Sequence, residues 1–468
     1  MNSQPLGGVA ALLALALVSG CATAPDDGAE RARTTLQQQG LTVPDAAPAA
    51  RGQLTRQQAV QAALYYHPSL QAEYARLDIA AADVARAGEL LNPSLSLSWL
   101  DVSGGGSEFS IGLSQSLAGV MLRPARQRRA AAEHDLAVQT LAEALRHRAL
   151  KTESAWYALV TANQALRVQD AITRTAVLAD QLAARFDEAG NMTPLERARH
   201  ARVAAEAQLD LLAARQRRDQ AWSDLAMEMA LPHSRWRVGA PLLTPPALPD
   251  EAALLALLTD HPARQQQQIR QQQLAQLAGE RRRGRWLDDS EVGIEHERNG
   301  DERATGPTLA FRLPLWHRSR GEQQALAAQQ RLLEAEAAAL EQRLRISLQR
   351  QLEILQQQQQ RIALHRQALL PALAAEVDAR QQRVDYMLDG VFNLLDSKRS
   401  ELQGWLSLVE ALGDYWQQEV TLAELIGSTA SRAGGEPLDI PLQRSNGEPH
   451  HHPASDTTIT DDVHGGHH

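Results

Sequence analysis

The sequence contains little of what many enzymes and nucleic-acid-binding proteins depend on. It has one cysteine among 468 residues, so it cannot form an intramolecular disulfide, a CxxC redox pair or a cysteine-rich zinc site. Aromatic residues make up only 4% of the chain, which is low for one globular core of this length. The net charge of −9 argues against an extended nucleic-acid-binding surface. No GxSxG, P-loop, HExxH or GxGxxG motif occurs, which favours a protein that is not an enzyme.

The N-terminus carries an apolar run that ends in small residues, GGVAALLALALVSGCATAP. The run is too short for a transmembrane helix, which needs about 20 apolar residues, but it suits the core of a signal peptide. Its end, VSGC, resembles a bacterial lipobox, although no Lys or Arg precedes the run. We therefore expect a lipoprotein signal peptide at 1–20, lipidation of Cys21 and an N-terminal linker at 21–53. By resemblance to lipoproteins, Ala22 favours sorting to the outer membrane. A plain signal peptide with an incidental cysteine is the alternative.

The chain consists of two similar halves. LTRQQAVQAALYYHPSL aligns without a gap with LPDEAALLALLTDHPAR, so that His67 falls on His261 at an offset of 194 residues. The His-Pro pair in each segment is interpreted as the end of a short helix rather than as a metal site. We expect a first repeat at 54–247, a second repeat at 248–432 and a disordered His-rich tail at 433–468.

Each half contains one predicted β-hairpin, at 94–117 and at 290–315. Apolar side chains alternate there with small or polar ones, as in SLSLSWL and TLAFRL. The wall of a membrane β-barrel needs one apolar and one polar face, but a soluble hairpin half-buried on helices gives the same alternation. Glu291, Glu295 and Glu297 share the polar face of the second hairpin, which predicts an acidic wall for a barrel lumen.

A long helical stretch follows each hairpin. No glycine or proline lies between Pro124 and Gly190, and at about 1.5 Å per residue a helix of this length reaches roughly 100 Å. Such lengths indicate a coiled-coil-like assembly. Each stretch is predicted to turn back at a break, at Gly190 and at Gly390, which gives helical hairpins at 122–232 and 318–428.

The four predicted strands cannot close a barrel alone. An unpaired N–H or C=O group in a bilayer costs several kcal/mol, so a sheet there must lose its edges, and single-chain barrels start at about eight strands. If lipid surrounds these strands, copies of the chain must share the barrel. Counting strands allows a dimer or a trimer.

The pattern resembles the TolC-like outer-membrane efflux factors, over about Leu54 to Ile426. The most specific stretch is YMLDGVFNLLDSKRSELQGWLSLVEALGDYWQQEVTLAELIG, and GPTLAFRLPLWHRSRGE resembles the family's passage from strand to helix. The resemblance implies a mainly α fold with a small membrane β-barrel, in which a helix–β-hairpin–long helix–helix unit is duplicated. It implies a homotrimer whose 12-stranded barrel continues into an α-helical periplasmic tunnel.

The resemblance also implies a function. Such a protein is a passive exit duct of a tripartite efflux system, lipid-anchored in the outer membrane with a long periplasmic part. It has no cofactor, and its partners are a periplasmic adaptor (membrane fusion protein) and an inner-membrane efflux pump. The same channel in drug efflux or type I secretion, and a periplasmic coiled-coil lipoprotein that forms no channel, are the alternatives.

The two interhelical turns are predicted to form the periplasmic entrance. Carboxylates repeated around a three-fold axis would form acidic rings that favour cations, with an arginine bridging them when the entrance is shut. The candidate gate residues are Asp187, Glu188, Arg383, Asp385 and Asp389. By resemblance, the turns also meet the adaptor, through Gly190, Asn191, Gly390 and Val391. Helix-end charges that simply face solvent are the alternative for any single carboxylate.

The substrate is predicted from two features. The tail holds six of the fifteen histidines, and imidazole clusters bind divalent metals, here loosely because no fixed geometry is evident. These residues are His450, His451, His452, His464, His467 and His468. The stretch MLDGVFNLLDSKR resembles the heavy-metal branch of the family, which implies export of copper and silver or of cobalt, zinc and cadmium. A purification artefact or an unselected tail is the alternative for the histidines.

Overall fold

Long helices account for most of the fold. The computed structural model describes residues 24–48, 52–102, 106–231, 236–284, 290–299, 301–311 and 320–441. The helices are α1 Gly28–Gln38, α2 Arg56–Tyr66, α3 Pro68–Gly88, α4 Leu117–Met121, α5 Arg123–Glu188, α6 Pro194–Met229, α7 Glu251–Leu257, α8 Pro262–Gly284, α9 Arg320–Leu364, α10 Leu370–Asp385 and α11 Val391–Leu425. A 3₁₀ turn, Leu258–Asp260, follows α7, and a π-helical turn, His365–Leu369, joins α9 to α10. The 66 residues of α5 extend about 100 Å. Among the helices described, none combines the length and the apolar content that a transmembrane helix needs.

Both halves of the chain build the same unit. The strands are β1 Gly52–Gln53, β2 Ser94–Val102, β3 Gly106–Ser116, β4 Trp236–Arg237, β5 Glu291–Asn299 and β6 Glu302–Ala310. The first unit runs α2, α3, β2–β3, α5, α6, and the second runs α7, α8, β5–β6, α9 with α10, α11. The mainly helical fold with a small sheet, expected from the sequence, is confirmed.

The two His-Pro pairs start helices as well as ending them. His67 ends α2 and also caps α3, because its Nδ1 accepts the Ser69 N–H at 3.2 Å while Pro68 occupies the first turn. In the second unit, His261 Nδ1 accepts the Ala263 N–H at 3.1 Å in the same way. The His-Pro pairs therefore end one helix, as predicted, and also cap the start of the next, which was not predicted.

The sheet is antiparallel and has the strand order β2-β3-β5-β6. The register pairs Leu97 with Ile111 and Ile111 with His296, and these side chains share one face. That face exposes Leu95, Leu97, Trp99, Leu113, Val292, Ile294 and Leu309. On the opposite face the serines of β2 and β3 lie beside the glutamates of β5. Among the described strands, β2 and β6 are the edges of the sheet and pair on one side only.

The long helices pack side by side in a fixed order. Near the sheet the order is α3, α5, α8, α9, whereas farther from it the order is α6, α5, α11, then α9 with α10. One part of the core lies between α5 and α11, where Val160, Leu408 and Trp416 are buried. In another part, Leu145 of α5 packs with buried residues of α1, α2 and α3. Because each helix covers only its neighbours, the outer faces of α6 and α9 stay exposed, and they carry Leu209, Leu212, Leu332 and Ile346.

Two segments treated above as a linker and a tail contain packed structure. Within 21–53, helix α1 buries Ala32 and Leu36 against α5, and Arg31 pairs with Asp135 at 2.8 Å. Within 433–468, Leu438 donates its N–H to Leu242 O at 2.7 Å, so the chain as far as Leu438 lies on the segment that precedes α7. Neither segment has a periodic apolar pattern long enough to predict this packing. The compact part of the chain ends at Leu438, and of the separate segment that starts at Asp439 the structure describes residues 439–441.

Candidate functional site: the two interhelical turns

The first interhelical turn is closed by backbone geometry. Helix α5 ends where Gly190 takes a positive φ of 74°, which a side chain would strain. The Asn191 N–H then donates to Phe186 O at 2.8 Å, the bond pattern of a Schellman motif. Helix α6 starts with a capping box between Thr193 and Glu196. The Thr193 hydroxyl and backbone N–H donate to the Glu196 carboxylate and so lower its pKa.

The second turn is built differently from what the sequence predicts. Gly390 has an extended conformation, with φ −83°, and caps the start of α11. The residue with left-handed backbone is Met387, at φ 59°, and its side chain is 94% exposed. The Leu388 N–H donates to Arg383 O at 2.7 Å and closes the end of α10. A non-glycine residue in this conformation leaves no signal in the sequence, so the sequence alone points to the nearest glycine, Gly390, as the break.

Asp389 is the anchor of the second turn. Its Oδ1 accepts the Gly390 N–H at 2.8 Å and the Asn393 Nδ2 at 2.6 Å. Its Oδ2 lies 3.3 Å from Arg380 Nη1 and 3.8 Å from Arg383 Nε. The hydrogen bond from the Asn393 side chain, the Gly390 N–H and the two guanidinium groups together lower the pKa of Asp389. Of these partners only Arg383 is predicted from the sequence, because Arg380 and Asn393 are recognisable only once the path of the turn is known.

The other candidate gate carboxylates are exposed. Asp385 accepts a hydrogen bond from Gln381 Nε2 at 2.8 Å. Asp187 and Glu188 face solvent and pair with no other side chain among the described residues. The four carboxylates are therefore of two kinds: Asp389 is compensated by arginines of its own chain, and Asp187, Glu188 and Asp385 carry uncompensated negative charge.

The two turns lie next to each other. The Phe186 ring, from α5, meets the Phe392 ring, from α11, edge to face at a centroid distance of 5.6 Å. His200, from α6, lies over the same Phe392 ring at 4.6 Å. Burial lowers the pKa of His200, and nearby Arg199 acts in the same direction. A cleft of about 430 Å³ separates the turns, and both Asn191 and Gly390 line it. The structure thus brings one predicted adaptor-docking residue of each turn, Asn191 and Gly390, to the same cleft.

The sheet carries a second set of carboxylates. The register places Glu291, Glu295 and Glu297 on one face, as predicted, and adds Glu108 and Glu302 to it. The Ser114 hydroxyl donates to Glu291 at 2.7 Å. Among the described residues of β2, β3, β5 and β6, this face holds five carboxylates and no basic side chain.

Several predicted residues lie outside the described part of the chain. These are Cys21 and the six tail histidines, His450, His451, His452, His464, His467 and His468. Within the residues described, no group of three or more His, Cys, Asp or Glu side chains is placed to hold a metal ion.

Comparison with known proteins identifies the fold through structure alone. No protein-family model and no curated protein sequence matches the chain. The solved structure of CusC, described in terms of folding and transmembrane channel formation, is 12% identical, with a TM-score of 0.65 over 85% of this chain and 96% of CusC. A membrane protein from Pseudomonas aeruginosa gives a TM-score of 0.64 at 16% identity, over 83% of this chain and 99% of that one. The Campylobacter jejuni CmeC outer membrane channel gives 0.61 at 14% identity, over 84% and 94%. The chain therefore has the fold of these proteins over nearly its whole described length.

Proposed function

We propose that this chain is one third of a passive exit duct in the outer membrane, a TolC-like homotrimer that a periplasmic adaptor and an inner-membrane pump dock onto. The proposal rests on one observation: the unpaired edges of the sheet and the uncovered edges of the helical layer lie on the same two sides of the chain. Edge strand β2 follows edge helix α3, and edge strand β6 precedes edge helix α9. A neighbouring copy can therefore complete the sheet and the helical layer at the same seam.

The exposed surfaces support closure around a lumen. On the sheet, Leu97 and Trp99 are 63% and 71% exposed, a cost in water that disappears when the face meets lipid. On the opposite face, carboxylates and serines suit a water-filled interior. Within a bilayer the unpaired edges of β2 and β6 must be satisfied, and three copies of four strands give the twelve-stranded barrel of the proposal.

The position of α1 supports a lipid anchor at Cys21. Gly28 starts α1 against His134, since a Cβ on Gly28 would lie 2.9 Å from His134 Nε2. His134 follows the start of α5 by eleven residues, or about 16 Å of helix. The seven residues from Cys21 to Gly28 span up to about 25 Å when extended, which is long enough for an acylated Cys21 to reach the level of the strand ends.

Heavy-metal cations are the proposed substrate. Support comes from the acidic sheet face, the exposed Asp187, Glu188 and Asp385 at the turns and the histidines of the tail. Loss of metal tolerance on deleting the gene, with unchanged drug tolerance, is the expected result. Loss of drug tolerance alone would assign the duct to a drug pump.

Cross-linking between copies tests the assembly. Cysteines replace Leu97 in β2 and Thr305 in β6, and a flexible bis-maleimide joins copies in membranes without requiring a known register. We expect a ladder on denaturing gels that ends at three subunits. The controls are the single variants Leu97→Cys and Thr305→Cys, each of which lacks one of the two cysteines at the seam and should give no ladder. A ladder ending at two copies, or none together with liposomes that stay impermeable, would overturn the proposal.

A further inference from the structure

Arginines concentrate where the sheet joins the helices. We define the arginine collar as Arg123, Arg126, Arg128, Arg129, Arg281 and Arg282. The first four lie in the first two turns of α5, directly after β3 and α4, and the last two lie in the last turn of α8, which precedes β5. The two junctions are at one level, because the Leu117 N–H donates to Ser290 O at 2.8 Å and Arg129 lies 3.5 Å from Glu280 of α8.

Helix electrostatics does not explain the larger part of the collar. The start of a helix carries a partial positive charge, so cations there are disfavoured and acids are usual in the first turn. Helix α5 has no acid in its first turn and places arginines at four positions within seven residues. These positions point in different directions around the helix, so guanidinium groups surround it. Only Arg281 and Arg282, at the C-terminal end of α8, have the sign that the helix dipole favours.

Four of the six collar arginines have no carboxylate partner among the described residues. Arg129 pairs with Glu133 and Glu280, and Arg281 pairs with Glu322 at 3.1 Å. Arg126 donates to Gly119 O at 2.7 Å. Arg128 and Arg282 reach only carbonyl groups of their own helices, and Arg123 pairs with no carboxylate among the described residues. Among the described residues, the junction therefore keeps uncompensated positive charge, in a chain whose net charge is −9.

Apolar side chains lie directly beside these charges. In α4, Val120 and Met121 are 45% and 57% exposed, and they precede Arg123 along the chain. The strand ends next to the junction expose Leu95, Leu113 and Val292 on the apolar face of the sheet. Cationic side chains at the border of an exposed apolar surface match a lipid, whose phosphate and acyl chain are joined in one molecule. A free phosphate would use only the charges.

We propose that the arginine collar binds the phosphate headgroups of acidic phospholipids in the leaflet next to the helices. This proposal rests on the proposed membrane function. Guanidinium groups suit this ligand because they donate two parallel hydrogen bonds to one phosphate. The collar then fixes the depth of the sheet in the bilayer and gives the chain a preference for acidic over zwitterionic lipid.

Lipid retention by the full-length protein tests the proposal. The protein is reconstituted in vesicles of phosphatidylcholine alone or mixed with phosphatidylglycerol and is then extracted again. Native mass spectrometry measures which lipid molecules stay bound to it. Wild type should keep phosphatidylglycerol selectively. The variant R123Q/R128Q/R282Q should keep at least tenfold less, since each surface arginine adds about fivefold to the binding of an anionic membrane. The control R343Q/R345Q/R350Q removes the same charge from exposed positions on α9 and should behave as wild type.

Several results would overturn the collar as a lipid site. If wild type and R123Q/R128Q/R282Q retain the same amount of phosphatidylglycerol, the collar does not bind this lipid. If the α9 control loses as much phosphatidylglycerol as R123Q/R128Q/R282Q, retention depends on the net charge of the protein and not on the collar. Binding of inorganic phosphate in detergent that displaces phosphatidylglycerol and needs the same arginines would make the ligand free phosphate. A protein that inserts into neither vesicle type would refute the proposed function and the collar with it, whereas insertion without lipid preference refutes the collar alone.

Discussion

The ring of Tyr157 lies parallel to the ring of Trp416, with centroids 5.0 Å apart and planes 8° apart. Tyr157 belongs to α5 of the first unit and Trp416 to α11 of the second, and both are buried. Trp156 and Tyr415 pack edge-on against them, at 5.1 and 5.5 Å. In a chain with 4% aromatic residues, this concentration makes the contact between α5 and α11 the centre at which the two units are joined.

Replacing Trp416 with Ala should destabilise the protein more than any exposed aromatic substitution. The change removes a fully buried ring and its hydrogen bond from Nε1 to Leu243 O at 2.9 Å, with an expected cost of about 3–5 kcal/mol in the free energy of unfolding. Denaturant titration in detergent measures it. Trp99→Ala, at a 71% exposed position, is the control. Equal midpoints for both variants would contradict the central role of this contact.

Neutralising Glu153 should weaken the attachment of the C-terminal segment. Glu153 is 2% exposed in its side chain and accepts from Arg56 at 2.7 Å and from the Ser431 N–H and hydroxyl. Glu153→Gln removes the charge that these donors face, with an expected cost of about 1.5–3 kcal/mol. The control is Glu133→Gln, whose carboxylate is 54% exposed and 3.8 Å from Arg129, with an expected cost below about 1 kcal/mol. Thermal unfolding followed by circular dichroism compares the two, and a Glu153→Gln variant as stable as the control would contradict the assignment.

The network around Glu153 shows where prediction from sequence ends. Alternating apolar and polar residues and helix-stop residues are local patterns that span only a few positions. The sheet, the long helices and the start of α6 at Thr193 and Pro194 are therefore predictable from the sequence. The bond between Ser431 and Glu153 joins residues 278 positions apart and leaves no local pattern. The same holds for α1, which is fixed by contacts with α5, and for Arg380 beside Asp389. The charges of the turns were predictable, whereas their division into paired and free carboxylates depends on tertiary structure.

Glycine at position 413 should be required for the packing of α11 on α5. A Cβ there would lie 2.4 Å from Thr161 Cγ2, so Gly413→Ala forces the helices apart at an expected cost of about 1–3 kcal/mol. Gly279, inside α8, has no atom within 4 Å of such a Cβ. Gly279→Ala should therefore stabilise by about 0.5–1 kcal/mol through helix propensity. Melting temperatures that move in the same direction for both variants would show that close packing at Gly413 does not matter.

Acid should loosen both interhelical turns. The pKa values of Glu196 and Asp389 are lowered in the folded chain by hydrogen bonds from Thr193 and from Asn393, respectively. Their contribution is therefore fully present above the ordinary carboxyl pKa of about 4 and is lost as the pH falls through the lower folded values. A spin label at Asn191→Cys should gain mobility over that range. In Glu196→Gln, which cannot titrate, the acid-dependent change at this label should disappear; if it persists, another group is responsible.

Asp385 and Asp389 should affect the entrance in different ways. Asp385 is exposed and bonded only to Gln381 among the described residues, so Asp385→Asn removes charge without disturbing the turn. We expect a reversal potential in a planar bilayer under a salt gradient that shifts toward lower cation selectivity, with unchanged thermal stability. Asp385→Glu keeps the charge and should keep the selectivity.

Asp389→Asn should instead release the turn itself. The change weakens the acceptor of the Gly390 N–H and leaves Arg380 and Arg383 without their carboxylate partner. A spin label at Val391→Cys should therefore become more mobile in Asp389→Asn and stay unchanged in Asp385→Asn. The two substitutions remove the same charge at positions four residues apart. The mobility of the label at position 391 therefore separates an electrostatic role at the entrance from a structural one, which the reversal potential alone does not. A reversal potential that Asp385→Asn leaves at the wild-type value would remove Asp385 from the gate, whatever happens at Asp389.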